Sequence, residues 1–215
     1  MNKEQNITQR QKEIFEDIAD IGISQTVKSL SKITGRNWHI YNKRTEFYDL
    51  EKSWKIFPFD DSMKFGGELV FKGEIPMSFL CVFPQKSVKS LTQYINAQVD
   101  LQSSQKPKLQ EMTVAEVSNI LSNSFLGVIA NELKMSMLIA TPNVSVGSDG
   151  YLLKKAVSKA GLKSGYVLAN TLTIQSENLI MTTMFVVVIS EQSLKTLVSK
   201  IDSLKTSKKK DFRMF

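Results

Sequence analysis

Two thirteen-residue segments standing 106 positions apart constrain the fold of this chain more than any other feature. Phe79-Leu80-Cys81-Val82-Phe83-Pro84-Gln85-Lys86-Ser87-Val88-Lys89-Ser90-Leu91 runs beside Phe185-Val186-Val187-Val188-Ile189-Ser190-Glu191-Gln192-Ser193-Leu194-Lys195-Thr196-Leu197. Each opens as an apolar run of strand length and passes through a few polar residues into apolar positions at helical spacing. A chain that makes this passage twice is built from two related halves. Joined edge to edge, two half-sheets bury apolar faces and remove edges that neither half could protect alone. The expectation is an α/β (α+β) fold with pseudo-twofold duplication, an antiparallel or mixed sheet, and long helices packed over it. A single domain is expected over residues 1–215, with half-repeats 11–101 and 111–204 and a basic tail at 205–215.

The surrounding sequence supplies the same parts in the same order: helix, extended segment, hairpin, helix. In the first half, residues 9–34 read as a helix with Ile14, Ile18, Ile21, Val27 and Leu30 as its apolar stripe, and Gly35 supplies the stop. Trp38–Tyr41 reads as a strand, followed by a polar and aromatic connection to about residue 65. Residues 68–74 and 76–83 form a hairpin, and 87–99 a helix. Residues 102–110, with Pro107, read as the linker. In the second half, a helix spans about Val114 to Leu133 with Val117, Leu121, Phe125 and Val128 along one side. Pro142–Val146 is extended, 147–150 turns, 168–175 and 179–189 form a hairpin around Ser176-Glu177-Asn178, and 192–204 closes as a helix.

Composition narrows the function classes. With 215 residues, 42% of them hydrophobic, the chain can bury a sizeable core. No uninterrupted apolar run approaches the roughly 18 residues that span a bilayer; the richest, Met184–Ile189, has only the length of a strand. The N-terminus lacks the apolar segment of a secretory signal, so a cytoplasmic protein without a transmembrane segment is expected. Cys81 and His39 are the only residues of their kinds. They furnish neither a disulfide nor the usual zinc cluster, and an acyl-transfer triad would have to use His39. Cys81 reads as a buried inert thiol, His39 as a structural or surface residue, and no metal site is expected. The net charge of +7 gathers partly at Lys205, Lys208, Lys209, Lys210 and Arg213. Basic and aromatic residues are not interleaved on strands as in nucleic-acid modules, so nucleic acid is not an expected partner.

The polar residues that stand out lie on the two long helices. Glu116 and Asn119, three apart, share a helical side, and Asn123 extends the row, while Val117, Leu121 and Phe125 fall elsewhere. Such a pair alone is routine on a solvated helix. Here it sits among small and amide residues, Asn119-Ile120-Leu121-Ser122-Asn123-Ser124-Phe125-Leu126-Gly127, which let a partner approach closely. Pro142, with 22 residues between it and Asn119, fixes the way into the next strand. A weaker version lies 99 residues earlier, at Asp17 and Asp20.

These residues resemble those of the CheC and CheX family of chemotaxis phosphatases, whose fold is shared by the middle domain of the flagellar switch protein FliM. The family pattern is an acidic residue or serine, three residues, glutamate, two residues, asparagine, and a proline after about twenty-two more. Glu116, Asn119 and Pro142 fit; Met112 departs from the acidic or serine position. The resemblance implies removal of phosphate from a phosphoaspartate on a CheY-type receiver domain. It assigns Asn119 to orienting the attacking water and Glu116 to meeting the receiver's lysine. No cofactor of the chain's own is implied, and the divalent metal (Mg) belongs to the receiver. A further chemotaxis protein as accessory partner is compatible with the resemblance. Asp17 and Asp20, with Glu13 before them and Lys43-Arg44 where a proline would stand, read as a degenerate second site. The alternative is a non-catalytic CheC/FliM-like adaptor that binds a phosphorylated receiver or another signalling partner.

Overall fold

A computed structural model describes residues 8–56, 61–95, 106–177 and 179–211. The first half contributes α1 (Gln9–Thr34), β1 (His39–Asp49), α2 (Leu50–Ile56), β2 (Lys64–Gly73), β3 (Met77–Pro84) and α3 (Gln85–Ile95). The second contributes α4 (Lys106–Leu133), β4 (Met137–Ile139), β5 (Asn143–Gly147), α5 (Asp149–Ala160), β6 (Tyr166–Ser176), β7 (Leu179–Ile189) and α6 (Glu191–Asp211).

Seven strands form one open sheet in the order β1-β6-β7-β3-β2-β4, with β5 also pairing β2. Every pairing is antiparallel. The two halves meet where β3 pairs β7, and there Leu80 stands opposite Val186. Those two residues are 106 apart, the offset of the sequence repeat, so the repeat's own counterparts face one another across the seam. The halves are nevertheless not simply edge to edge. β1 leaves its own half to pair β6, and β5 leaves its own to pair β2. Four strand pairings, β1 with β6, β3 with β7, and β2 with both β4 and β5, therefore bind the halves together, where a plain joint would supply one.

The period-two alternation of the strands sorts side chains onto two faces. On one, Leu69, Phe79, Cys81, Phe83, Phe185 and Val187 meet Ile14, Ile23, Val117, Leu121, Phe125, Leu91 and Leu197 from α1, α4, α3 and α6. On the other, Leu80, Val82, Val186 and Val188 meet Leu50 of α2 and Leu152, Leu153, Ala156 and Val157 of α5. The helices α1, α3, α4 and α6 cover one face, and α2 and α5 cover part of the other.

Several boundaries differ from the sequence reading, each for a physical reason. β1 runs to Asp49, far beyond Tyr41, because an edge strand whose first six residues are exposed carries no apolar alternation to reveal it. Each half also holds a small helix, α2 after β1 and α5 after β5. The expected 147–150 turn is the end of β5 followed by the start of α5, where the Ser148 side chain accepts from Tyr151 N–H and Gly161 closes the helix at φ 66°. The described part of the expected linker, Lys106–Gln110, is already α4, with Pro107 in its first turn, where a missing N–H costs nothing; residues 102–105 lie outside the described residues. So do residues 96–99 of the helix expected over 87–99 and Asn178 of the second hairpin turn. α1 ends as expected, with Gly35 at φ 64°. Its stripe differs: Ile21 is 53% exposed, and Ala19 and Ile23 are the buried residues at that level. α6 continues through Asp211, so the backbone of residues 205–211 is helical; 212–215, with Arg213, lie outside the described residues.

Candidate functional site

α4 is held to the sheet by close backbone approach. At Gly67 of β2 an added Cβ would stand 1.9 Å from Ser118 Oγ and 2.5 Å from Ser118 Cβ, so only glycine lets α4 sit this deep. At Gly22 of α1 it would stand 2.4 Å from the Phe125 ring, which fixes the spacing of the two long helices. Thr26 Oγ1 donates to Leu121 O at 3.3 Å, and the Ser124 and Ser29 hydroxyls lie 2.7 Å apart. The small residues of α4 therefore serve internal contact more than an external partner. Ser118 and Ser122 are fully buried, Ser124 faces α1, and only Gly127 opens onto free space.

With that face seated, the opposite one points outward. Met112 is 58% exposed, Glu116 and Asn123 are exposed, and Asn119 is half-buried between them. The spacing of 112, 116, 119 and 123 keeps all four on one side of the helix. Asn123 Nδ2 donates to Asn119 O at 2.8 Å and to Asn119 Oδ1 at 2.9 Å, while Ser122 Oγ donates to Asn119 O at 3.0 Å. Among the described residues Glu116 has no ion-pair partner. Pro142 is half-buried in the short connection between β4 and β5, and α4 packs against β5.

The first half is arranged differently. Asp17 and Asp20 are both exposed on α1, but the Asp20 carboxylate is ion-paired to Lys43 of β1. Lys43 follows Asp20 by 23 positions, as Pro142 follows Asn119. A cation thus occupies the place in the spacing that proline holds in the second half; sequence reasoning named Lys43-Arg44 there but not the pairing with Asp20. The signal available was a basic residue on the strand after the helix, legible only once β1 extends far enough to carry it.

A cleft of about 400 Å³ lies on the other face of the sheet, lined by Arg44, Lys64, Asp149, Thr171, Thr173 and Met184 among others. Its side chains share the face covered by α5, away from Glu116 and Asn119. Within its walls the Lys64–Asp149 pair is buried at 2.5 Å. Cys81 lies in the core beneath α4, where burial drives its thiol well above the usual range and the Ser118 hydroxyl pulls slightly the other way. Among the described residues no three His, Cys, Asp or Glu side chains cluster as metal ligands. One stretch, Lys108–Asn131 in α4, has the length and apolar content to cross a membrane; half of it is buried inside the protein, as befits a core helix.

No family model matches the chain, and no curated protein does. Solved structures do. FliY from Thermotoga maritima superposes with a TM-score of 0.68 at 17% identity, over 92% of this chain and 98% of that one. FliM from H. pylori, solved in complex with SpeE, gives 0.61 at 10% identity, over 93% and 98%. CheX from Borrelia burgdorferi, solved in complex with CheY, BeF3 and Mg2+, gives 0.54 at 11% identity, over 80% and 97%. Identities this low speak to architecture alone, and the architecture is the CheC/CheX/FliM-like fold of chemotaxis and flagellar proteins.

Proposed function

We propose that this chain accelerates hydrolysis of the phosphoaspartate on a CheY-type receiver domain, acting through Glu116 and Asn119 of α4. The observation that carries this reading is the outward row Met112, Glu116, Asn119 and Asn123 on a helix locked to the sheet from behind. A rigid helix presents an amide and a carboxylate at fixed spacing, which is what positioning chemistry requires. Asn119 reaches the acyl phosphate and holds a water in line; Glu116 meets the receiver's lysine and sets the helix in place. Water oxygen bonds to phosphorus as the phosphorus–carboxylate bond breaks, the electron pair leaves with the receiver's aspartate, and the water proton ends on phosphate. The chain supplies no nucleophile, and the receiver's own divalent ion neutralises phosphoryl charge. A gain of tenfold to thousandfold asks for only about 1.4 to 4 kcal/mol of transition-state stabilisation. Met112 lies four residues, about 6 Å, before Glu116 on the helix. It removes a polar contact from the rim and adds an apolar one. A cytoplasmic location and an accessory chemotaxis partner belong to the same reading.

The competing reading is a non-catalytic adaptor. It is favoured by the extent of one superposition, since FliM covers 93% of this chain against 80% for CheX. A time course of several phosphorylated receivers separates the two. Asn119→Ala is expected to abolish accelerated dephosphorylation while leaving receiver binding within about threefold, since an amide that only orients water contributes little to ground-state binding. Phosphorylation-dependent binding with an unchanged acyl phosphate lifetime in the wild-type protein would establish the adaptor.

A further inference from the structure

The hydrogen bonds around Asn119 decide which way its carboxamide faces. A single atom of Asn123 lies 2.8 Å from the Asn119 backbone oxygen and 2.9 Å from the end of the Asn119 side chain. A backbone carbonyl only accepts, so that atom is the amide nitrogen. An amide nitrogen only donates, so the Asn119 atom it meets is Oδ1. One main-chain oxygen thereby removes the usual ambiguity between the two ends of an asparagine. Asn119 Nδ2 is left on the far side, and among the described residues no hydrogen-bond partner engages it.

We propose that Asn123 is a positioning residue for Asn119, turning its carboxamide so that the N–H donors lead toward the partner. The inference rests on the phosphatase reading and specifies the chemistry of that site. Phosphoryl oxygens are anionic acceptors, so a donor-first amide attracts them, whereas an oxygen-first amide would repel them. Asn119 Oδ1 keeps one lone pair beyond the bond from Asn123. That lone pair accepts a hydrogen of the attacking water while Nδ2 donates to a phosphoryl oxygen. The first half lacks this device: Ser24, 99 positions before Asn123, is exposed on α1 four residues after Asp20, whose carboxylate offers only oxygens.

The test compares Asn123→Leu, which keeps the bulk and removes the donor, with Asn123→Gln, which keeps a donor on a longer arm. The readouts are kcat and KM toward a phosphorylated receiver and the side-chain amide resonances of Asn119 in labelled protein. An i,i+4 side-chain hydrogen bond is weak, so freeing the amide lowers kcat by about 1.4- to 2.3-fold. KM is expected to stay put, Asn123→Gln to recover most of the rate, and the Asn119 amide signals to shift in Asn123→Leu. If Asn119→Ala stops acceleration while Asn123→Leu matches wild type, the positioning role is overturned and the phosphatase reading stands. Equal losses in the Leu and Gln variants with unmoved Asn119 signals also overturn it. If Asn119→Ala itself runs at the wild-type rate, the phosphatase reading falls and this inference falls with it.

Discussion

Asp20 and Lys43 account for the asymmetry between the two helix faces. A carboxylate where the second half has an amide would face an anionic phosphoryl group with a repulsion of about 4 kcal/mol at 4 Å and an effective dielectric near 20. Lys43 offsets that charge and engages the carboxylate in an ion pair. The pair is partly exposed, 31% at Lys43 and 53% at Asp20, so it contributes less than about 1 kcal/mol to stability. Its consequence is occupancy. In an Asn119→Ala background, Asp20→Asn with Lys43→Met is expected to regain measurable phosphatase activity, below about a tenth of wild type, while neither single change does. Complete inactivity of the double variant, with folding intact, would trace the loss to Asp17 or to the local backbone instead. At this scale the spacing of Glu116, Asn119 and Asn123 is readable in the chain because helical geometry alone puts them on one side. The Asn123–Asn119 bond and the Lys43 pairing are not, since they depend on rotamers and on how far β1 extends.

Among the elements, α4 depends most on a few atoms. Gly67→Ala would drive a methyl into Ser118, with no far end of a flexible chain to yield. Overpacking of this kind costs about 1–3 kcal/mol. The variant should unfold at lower denaturant and lose the proposed phosphatase activity as α4 lifts from β2. Gly67→Ala with Ser118→Gly should be more stable than the sum of the two single changes, by denaturation in a double-mutant cycle; strict additivity would refute the contact as the cause. The hairpins and long helices were legible because their apolar residues repeat with period 2 or 3.6. α5 was legible too, from Ser148 before it, Gly161 after it and Leu152, Leu153, Ala156 and Val157 between, yet it lay in the shadow of an expected turn. β1 and the three-residue β4 carry no such pattern. The serines of α4 were assigned to an outside partner because composition does not say which side of a helix meets the sheet.

For the molecule as a whole, the buried thiol sets a pH limit. Folded Cys81 stays protonated at pH values where the unfolded thiol, with its ordinary value of 9.0, ionises. The unfolded state then binds fewer protons than the folded one, so stability is unaffected below about pH 9 and falls above it by about 1.4 kcal/mol per unit. Tyr48, pushed up from 10.0 to about 12 chiefly by burial and then by its hydrogen bond with Glu46, acts in the same sense only from pH 10. Denaturation at intervals between pH 8 and 10 should show the decline, and Cys81→Ala should flatten it between 9 and 10; an unchanged slope would place its origin elsewhere. The recurrence of a strand running into a helix was legible from the 106-residue offset, but the exchange that pairs β1 with β6 and β5 with β2 was not, because both arrangements bury the same apolar sets. That exchange bears on how the protein is made. Thr45 of β1 bonds to Asn170, 125 residues further on. At roughly 5 to 20 residues per second, a ribosome needs about 6 to 25 seconds to deliver that neighbour. Throughout this interval β1 has emerged without its strand partner, so a nascent chain halted at its midpoint would offer an open β-edge to chaperones and to other unfinished copies of itself.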